Sequence, residues 1–185
     1  MFKFLLVAML GGMIINNYAF ENLLGICPIL GGRAVGKKAV VTGAFIAGVM
    51  LVTTAICWPI RYFFLAPNSL MYLEPVVYVI VALDVTVILD LCVKAAFKES
   101  LGLYFPVIVL NGAVLGAALL GAGCETYLES LFVTLGGGLG YMLAMFIFAG
   151  VSSRIRQKYV PEAFRGLPVN VLAAAIVSMA LVAFK

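Results

Sequence analysis

Apolar residues recur along the whole chain in runs of roughly 20, which is the length a helix needs to cross a bilayer. Short polar segments separate the runs and contain most of the charged residues. The pattern predicts six membrane-spanning helices, at residues 4–30, 39–60, 71–93, 101–122, 131–149 and 167–184. Little sequence is left between them, so we expect a single membrane domain over residues 1–185 and no soluble domain.

The first of these runs is interrupted by polar and turn-forming residues. Asn16 and Asn17 are followed by Glu21, Gly25, the pair Cys27-Pro28 and Gly31. Lipid offers no hydrogen-bond partners, so the backbone of a broken helix must be buried in protein or line a cavity. We therefore expect a buried helix break that presents the thiol of Cys27.

A weak internal repeat relates the two halves of the chain, about 1–95 and 100–185. The shared residues are Val41, Thr42, Gly48, Met50 and Leu51, which recur at constant spacing as Val133, Thr134, Gly140, Met142 and Leu143. The fourth run also contains an asparagine, Asn111, in apolar surroundings. The pattern predicts an all-α membrane protein of two inverted three-helix repeats, with the first and fourth helices interrupted. Chance similarity between apolar segments is the alternative.

Composition and charge agree with a membrane protein, because 65% of the residues are hydrophobic and 11% are charged. The basic residues segregate by loop, as topology signals do. One side would hold Arg33, Lys37, Lys38, Lys94, Lys98, Arg154, Arg156, Lys158 and Arg165, and the other Lys3, Arg61 and Lys185. Since basic loops stay in the cytoplasm, we predict that both termini are extracytoplasmic. The net charge of +4 therefore indicates topology and not nucleic-acid binding.

Several chemistries have no residues to support them. The chain has no histidine, which removes the usual general base and a common metal ligand. It also has no phosphate-binding glycine loop and no zinc-spaced cysteine cluster. Cys57 and Cys92 are expected to be small buried apolar side chains. The chain alone is not expected to be a complete enzyme.

Ionisable residues inside the predicted spans are candidates for an ion path or for pairing with another subunit. Each costs ~2.5–3.5 kcal/mol at the centre of a membrane helix. Asp84 and Glu21 are the candidates for the ion path, with structural pairing as the alternative. Asp90 is expected to pair with Lys94, four residues later on the same helix. Asn111 is expected to satisfy backbone groups at the helix break.

Motifs spread over the chain carry a family resemblance. They are Asn16-Asn17 with the Cys27-Pro28 turn, LGLYFP at 101–106, NGAVLG at 111–116, GYMLA at 140–144 and VPEAFRGLP at 160–168. In this order they resemble the A-type subunit of the Rnf electron-transport complex and its homologue, the E-type subunit of the sodium-translocating NADH:quinone reductase. The short last loop, with Phe164-Arg165-Gly166, is similar to the A-type Rnf subunit and unlike the E-type Rnf subunit, which has a longer insertion.

The resemblance implies a function in an ion-translocating ferredoxin:NAD oxidoreductase complex, a translocase. It also implies a location in the cytoplasmic (inner) membrane of a bacterium or archaeon. Two homologous six-span subunits of opposite topology would pair in the bilayer, here this chain and an E-type membrane subunit, together with other Rnf subunits. Each would contribute two cysteines, from its broken first and fourth helices, to one shared 2Fe-2S cluster, for which four thiolates are a usual ligand set. The cluster would pass electrons across the membrane, coupled to sodium or proton translocation.

One ligand position departs from this pattern. Cys27 matches the first position and is the metal and cofactor ligand that we assign, but the second position holds Gly112. Either Cys124 replaces it, or the cluster has three thiolates and another donor or is lost, or the chain has altered chemistry. The alternative function is a redox-inactive inverted-repeat transporter or channel subunit.

Overall fold

The computed structural model of the chain describes residues 24–25, 37–97, 111–155 and 160–182. In these ranges the secondary structure is helical, without strands. The five α-helices are α1 (Lys37–Ile60), α2 (Glu74–Phe97), α3 (Gly112–Ala122), α4 (Tyr127–Arg154) and α5 (Leu167–Val182). They confirm an all-α protein. The predicted first span lies outside the described residues apart from residues 24–25, and the inverted repeat stays a prediction.

Three stretches of the described helices are long and apolar enough to cross a membrane. They are Val40–Leu65, Met71–Cys92 and Tyr127–Arg154. In contrast, α3 has 11 residues. At 1.5 Å per residue it is about 16 Å long, roughly half the thickness of the hydrocarbon layer. If the C-terminal end of α3 lies at a membrane surface, its first residue lies close to the membrane midplane.

Small residues let α1 and α4 pack closely, and this pair forms the most extensive helix contact in the described ranges. The glycines at 136, 137, 138 and 140 are all buried in α4. A Cβ atom added at Gly138 would lie 3.1 Å from the Cβ of Ala47 in α1. Small residues at a helix contact are what lets two membrane helices approach this closely.

The end of α1 has the features of a membrane–water boundary. Pro59 lies in its last turn, and the chain continues as a π-helical turn, Arg61–Leu65. The Arg61 Nε atom lies 3.0 Å from a carboxylate oxygen of Glu74, the first residue of α2. Four aromatic side chains are exposed here: Tyr62, Phe63, Phe64 and Tyr72. Aromatic rings and an ion pair at one end of an apolar bundle are typical of the interfacial region.

Candidate functional site

Asn111 is the N-cap residue of α3. Its side-chain Oδ1 accepts a hydrogen bond from the backbone N–H of Ala113 at 3.0 Å, and its own backbone is extended. An asparagine at this position satisfies one of the N–H groups that the first helical turn leaves without a partner. Only 1% of Asn111 is exposed, so water could not easily do the same. The expectation that Asn111 satisfies a backbone group is confirmed, while the segment directly before it lies outside the described residues.

Tyr141, at the centre of α4, connects this cap to the turn at Leu24 and Gly25. Its hydroxyl donates a hydrogen bond to the carbonyl oxygen of Gly25 at 2.7 Å. The same hydroxyl accepts a hydrogen bond from the side-chain amide of Asn111 at 3.2 Å. Tyr141 is fully buried. We call Gly25, Asn111 and Tyr141 the junction, because one hydroxyl group holds two separate parts of the chain together.

Gly25 is required by the geometry of the junction. Its φ is +74°, a left-handed conformation that residues with a Cβ atom rarely adopt. A Cβ atom there would lie 2.1 Å from Oδ1 of Asn111 and 2.6 Å from the Cβ of Ala113. A larger residue would therefore displace the helix cap. The backbone of Gly25 can approach Asn111 closely only because it carries no side chain.

Position 112 faces the turn formed by Leu24 and Gly25. A Cβ atom added at Gly112 would lie 3.5 Å from Cδ2 of Leu24 and 3.7 Å from the backbone nitrogen of Gly25. These are ordinary van der Waals distances, so the space accepts a side chain. The structure thus brings position 112 next to the turn that leads to Cys27, the other place to which the resemblance assigns a ligand. Cys27 itself, two residues after Gly25, lies outside the described residues, as does Glu21.

The other thiols lie away from the junction. Cys57 is fully buried between α1, α2 and α3, where it contacts Tyr78, Ala118 and Ala122. This confirms the expectation of a small buried apolar side chain. The same expectation is wrong for Cys92, which is exposed, because it lies on the outward face of α2 one turn after Ile88.

Cys124 lies beyond the far end of α3. The helix rises about 15 Å between Gly112 and Ala122, so Cys124 is distant from position 112 and does not replace a ligand there. The backbone oxygen of Cys124 accepts a hydrogen bond from the indole N–H of Trp58 at 3.1 Å. Burial and the nearby Glu129 carboxylate raise the pKa of the Cys124 thiol, and Arg61 opposes the shift. A raised pKa favours the protonated thiol over the thiolate that would bind a metal.

The ionisable residues of α2 have different environments. Asp90 is 5% exposed and forms an ion pair with Lys94, as predicted. Asp84 is exposed and faces away from the core residues Tyr78, Ala82 and Val85 of the same helix. Within the described part of the chain, no three histidine, cysteine or acidic side chains lie close enough to hold a metal ion.

Sequence reasoning missed Gly25 and Tyr141 as members of the site. The tyrosine had one usable signal, since a buried tyrosine hydroxyl usually finds a hydrogen-bond partner. A tyrosine in the middle of the glycine-rich span therefore points to a polar group nearby. The partner is a backbone carbonyl 116 positions earlier, which no side-chain pattern marks.

Comparisons with known proteins agree over nearly the full length of the chain. A family model described as "Rnf-Nqr subunit, membrane protein" matches residues 5–185. The chain is 32% identical to the A-type subunit of the ion-translocating oxidoreductase complex of Syntrophotalea carbinolica, over 98% of this chain and 96% of the relative. It is also 32% identical to the A-type subunit of the Na(+)-translocating ferredoxin:NAD(+) oxidoreductase complex of Acetobacterium woodii, with the same coverage. The corresponding subunit of an Azoarcus species is 31% identical, over 97% and 95% of the two chains.

Proposed function

The chain belongs to the Rnf-Nqr family of membrane subunits, and from this premise we propose that it carries electrons across the membrane as the A-type subunit of an Rnf-type complex. Relatives of nearly equal length are named as A-type subunits of ion-translocating oxidoreductase complexes, and one name specifies ferredoxin, NAD and sodium. Function in a complex agrees with the composition, since almost the whole chain is membrane domain. The coupled translocation of sodium or protons is part of the same proposal.

The structural support for the proposal is the junction of Gly25, Asn111 and Tyr141. It joins the start of α3 to the centre of α4, and we propose that this level is close to the middle of the membrane. Interrupted helices that meet at the midplane are the usual place of function in inverted-repeat membrane proteins. An electron carrier near the midplane divides the roughly 30 Å hydrocarbon layer into two shorter transfers.

The cofactor that we propose is a 2Fe-2S cluster shared with a homologous E-type subunit, with Cys27 as the ligand from this chain. Such a cluster supplies one-electron oxidation and reduction. The residues present supply only part of the ligand set of such a cluster. Cys27, two residues after Gly25, offers a thiolate. Gly112, which faces the turn at Leu24 and Gly25, has no side chain that could act as a ligand. We therefore propose that this chain contributes one thiolate and that the remaining ligands come from outside it.

The residues of the junction would have two tasks. They fix the turn before Cys27, because the Gly25 carbonyl is bound by Tyr141 and the Gly25 backbone lies against Asn111. They also keep water away, since Asn111, Ala113, Val114 and Tyr141 are each at most 1% exposed. A dry and rigid environment holds a cofactor in one geometry and raises the strength of each polar contact near it.

The proposed topology places both termini outside the cytoplasm and relates the two halves as inverted repeats. The described basic residues support this orientation. Lys94 is in the last turn of α2, and Arg154 is in the last turn of α4. Arg61 lies at the other end of these helices, with the exposed aromatic rings. Lys94 and Arg154 thus share the end that we propose faces the cytoplasm.

A second function, a transporter or channel subunit without a redox centre, is favoured by one observation, the missing donor at position 112. The visible and EPR spectra of the purified complex discriminate between the two. We expect a reducible iron–sulfur signal in the complete complex that is absent from a complex prepared without this chain. An identical spectrum in both preparations would contradict the electron-transfer proposal.

A further inference from the structure

α2 exposes a carboxylate near the centre of its membrane-spanning stretch, Met71–Cys92. Asp84 is exposed on this helix. Apolar side chains surround it at the helical spacing that makes one continuous face: Ile80 at 53% exposure, Val87 at 40%, Ile88 at 58% and Leu91 at 59%. We call this set, with Asp84, the Asp84 face.

Asp84 has no partner within the described residues. The ion pairs there join Arg61 to Glu74, Lys94 to Asp90, and Arg165 to Glu162. The comparison with Asp90 is informative, because it lies on the same helix, is buried and is paired. A charged residue at the centre of a membrane helix costs ~2.5–3.5 kcal/mol on insertion scales, and such residues face protein or water and not hydrocarbon. The Asp84 face is therefore a poor lipid-facing surface.

We propose that the Asp84 face binds a membrane-spanning helix of a different subunit, which places a lysine or arginine side chain opposite Asp84. Lipid headgroups cannot take this role, because the carboxylate lies near mid-membrane and they remain at the surface. A cation is the complementary chemistry, since an ion pair removes the cost that a lone carboxylate has in hydrocarbon. The apolar side chains on both sides of Asp84 would pack against the partner helix.

A second copy of this chain does not fit the same face. A two-fold contact of α2 with itself would place identical surfaces together. The Asp84 face contains one carboxylate and no basic side chain, so the carboxylate would meet either its own copy or apolar residues. Neither arrangement supplies a cation. A two-fold contact of α2 with itself is therefore excluded, and the partner that we propose is a different polypeptide.

The inference rests on the proposed membership of a multi-subunit complex and not on the iron–sulfur cluster. Loss of every iron signal from the complex would leave the Asp84 face unchanged. A crosslink from this face would likewise give no information on the cofactor. The two proposals can therefore fail separately.

Photocrosslinking in membranes that contain the complete complex tests the partner. The photoreactive residue p-benzoylphenylalanine replaces Ile88 on the Asp84 face or, as a matched control, Ile176 of α5, which has a similar exposure of 55%. We expect the Ile88 variant to crosslink in higher yield than the control, to a membrane-spanning segment of another subunit that contains a lysine or arginine. Mass spectrometry identifies the crosslinked peptide. Adducts of Ile88 with lipid or with this chain alone would overturn the proposal.

Charge substitutions then test the ion pair itself. We expect Asp84→Lys to lower the crosslink yield from position 88 about tenfold, and Asp84→Asn to lower it less. Replacing the basic residue of the crosslinked segment with glutamate should restore the yield in the Asp84→Lys background, which separates charge pairing from misfolding. Equal yields from wild type and Asp84→Lys, or failure of the reversal to restore the crosslink, would show that no cation faces Asp84.

Discussion

The phenolic oxygen of Tyr141 lies 2.7 Å from the carbonyl oxygen of Gly25, and this one hydrogen bond ties the turn before Cys27 to the centre of α4. Both groups are in a part of the protein that water does not reach, since Tyr141 is fully buried. A buried hydrogen bond is worth little net energy when formed, but loss of one partner leaves a costly unsatisfied group. The geometry of the turn at Leu24 and Gly25 thus depends on a side chain of α4.

Tyr141→Phe removes the hydroxyl and leaves both the Gly25 carbonyl and the Asn111 amide short of a partner. We expect the free energy of unfolding to fall by about 1–3 kcal/mol, the usual cost of unsatisfied buried polar groups. The measurement is the thermal unfolding midpoint of the detergent-solubilised complex. Tyr72→Phe is the control, because Tyr72 is 73% exposed and should change nothing. Equal midpoints for the two variants would show that the junction contributes no stability.

Gly25→Ala should disrupt the junction, whereas Gly112→Cys should be tolerated. An alanine at 25 must adopt a φ of +74° and brings its Cβ to 2.1 Å from Asn111. A side chain at 112 begins at ordinary contact distances from Leu24 and Gly25. We expect poor assembly of the Gly25→Ala complex, and normal assembly with equal or higher iron content for Gly112→Cys. Size-exclusion chromatography with iron determination measures both. A well-assembled Gly25→Ala complex would argue against the observed turn.

The Cys124 thiol should ionise at higher pH than an exposed thiol, since burial and Glu129 raise its pKa. A raised pKa means less thiolate at any given pH below it, and the thiolate is the form that alkylates. The midpoint of its iodoacetamide pH–rate profile should therefore exceed that of a thiol introduced by Asn68→Cys in an exposed loop. Glu129→Gln should lower the Cys124 midpoint. A midpoint at or below that of the exposed thiol would contradict the assigned environment.

We expect Ser153 and Asn68, which are both exposed, to lie on opposite sides of the membrane. The basic end of α4 should be cytoplasmic, and the loop after Arg61–Leu65 should face outward. A membrane-impermeant maleimide added to intact cells should label Asn68→Cys directly, and Ser153→Cys only after the cells are opened. The reverse pattern would invert the topology and place both termini in the cytoplasm.

The sequence alone was sufficient to predict the helices and the cap at Asn111. It did not show which face of each helix lies inside the protein. A run of about 20 apolar residues has few alternatives to a membrane helix, so the spans of α1, α2 and α4 follow directly. Asn111 could be assigned to the break because an amide in an apolar run needs a backbone partner. The outward positions of Asp84 and Cys92 were not readable, since α2 is apolar on all sides and has no polar stripe that marks the inner face.

The sequence alone could not predict the junction, for a related reason. Its two links, Tyr141 to Gly25 and Asn111 to Tyr141, join residues far apart in the chain, and one acceptor is a main-chain carbonyl. Every residue has such a carbonyl, so the sequence does not distinguish this one. The left-handed conformation of Gly25 is likewise one of two common states of any glycine.

The most direct test of the central proposal is to measure the iron content and EPR spectrum of the purified complex that carries Cys27→Ser. The variant Cys57→Ala is the matched control for loss of a thiol. We expect Cys57→Ala to keep both the iron and the signal, because Cys57 is a fully buried side chain in apolar contacts away from the junction. Cys27→Ser should lose the reducible iron–sulfur signal or shift it severely, and electron transfer through the complex should stop. Unchanged iron content and an unchanged spectrum in Cys27→Ser would show that this chain holds no cluster and would favour the transporter function.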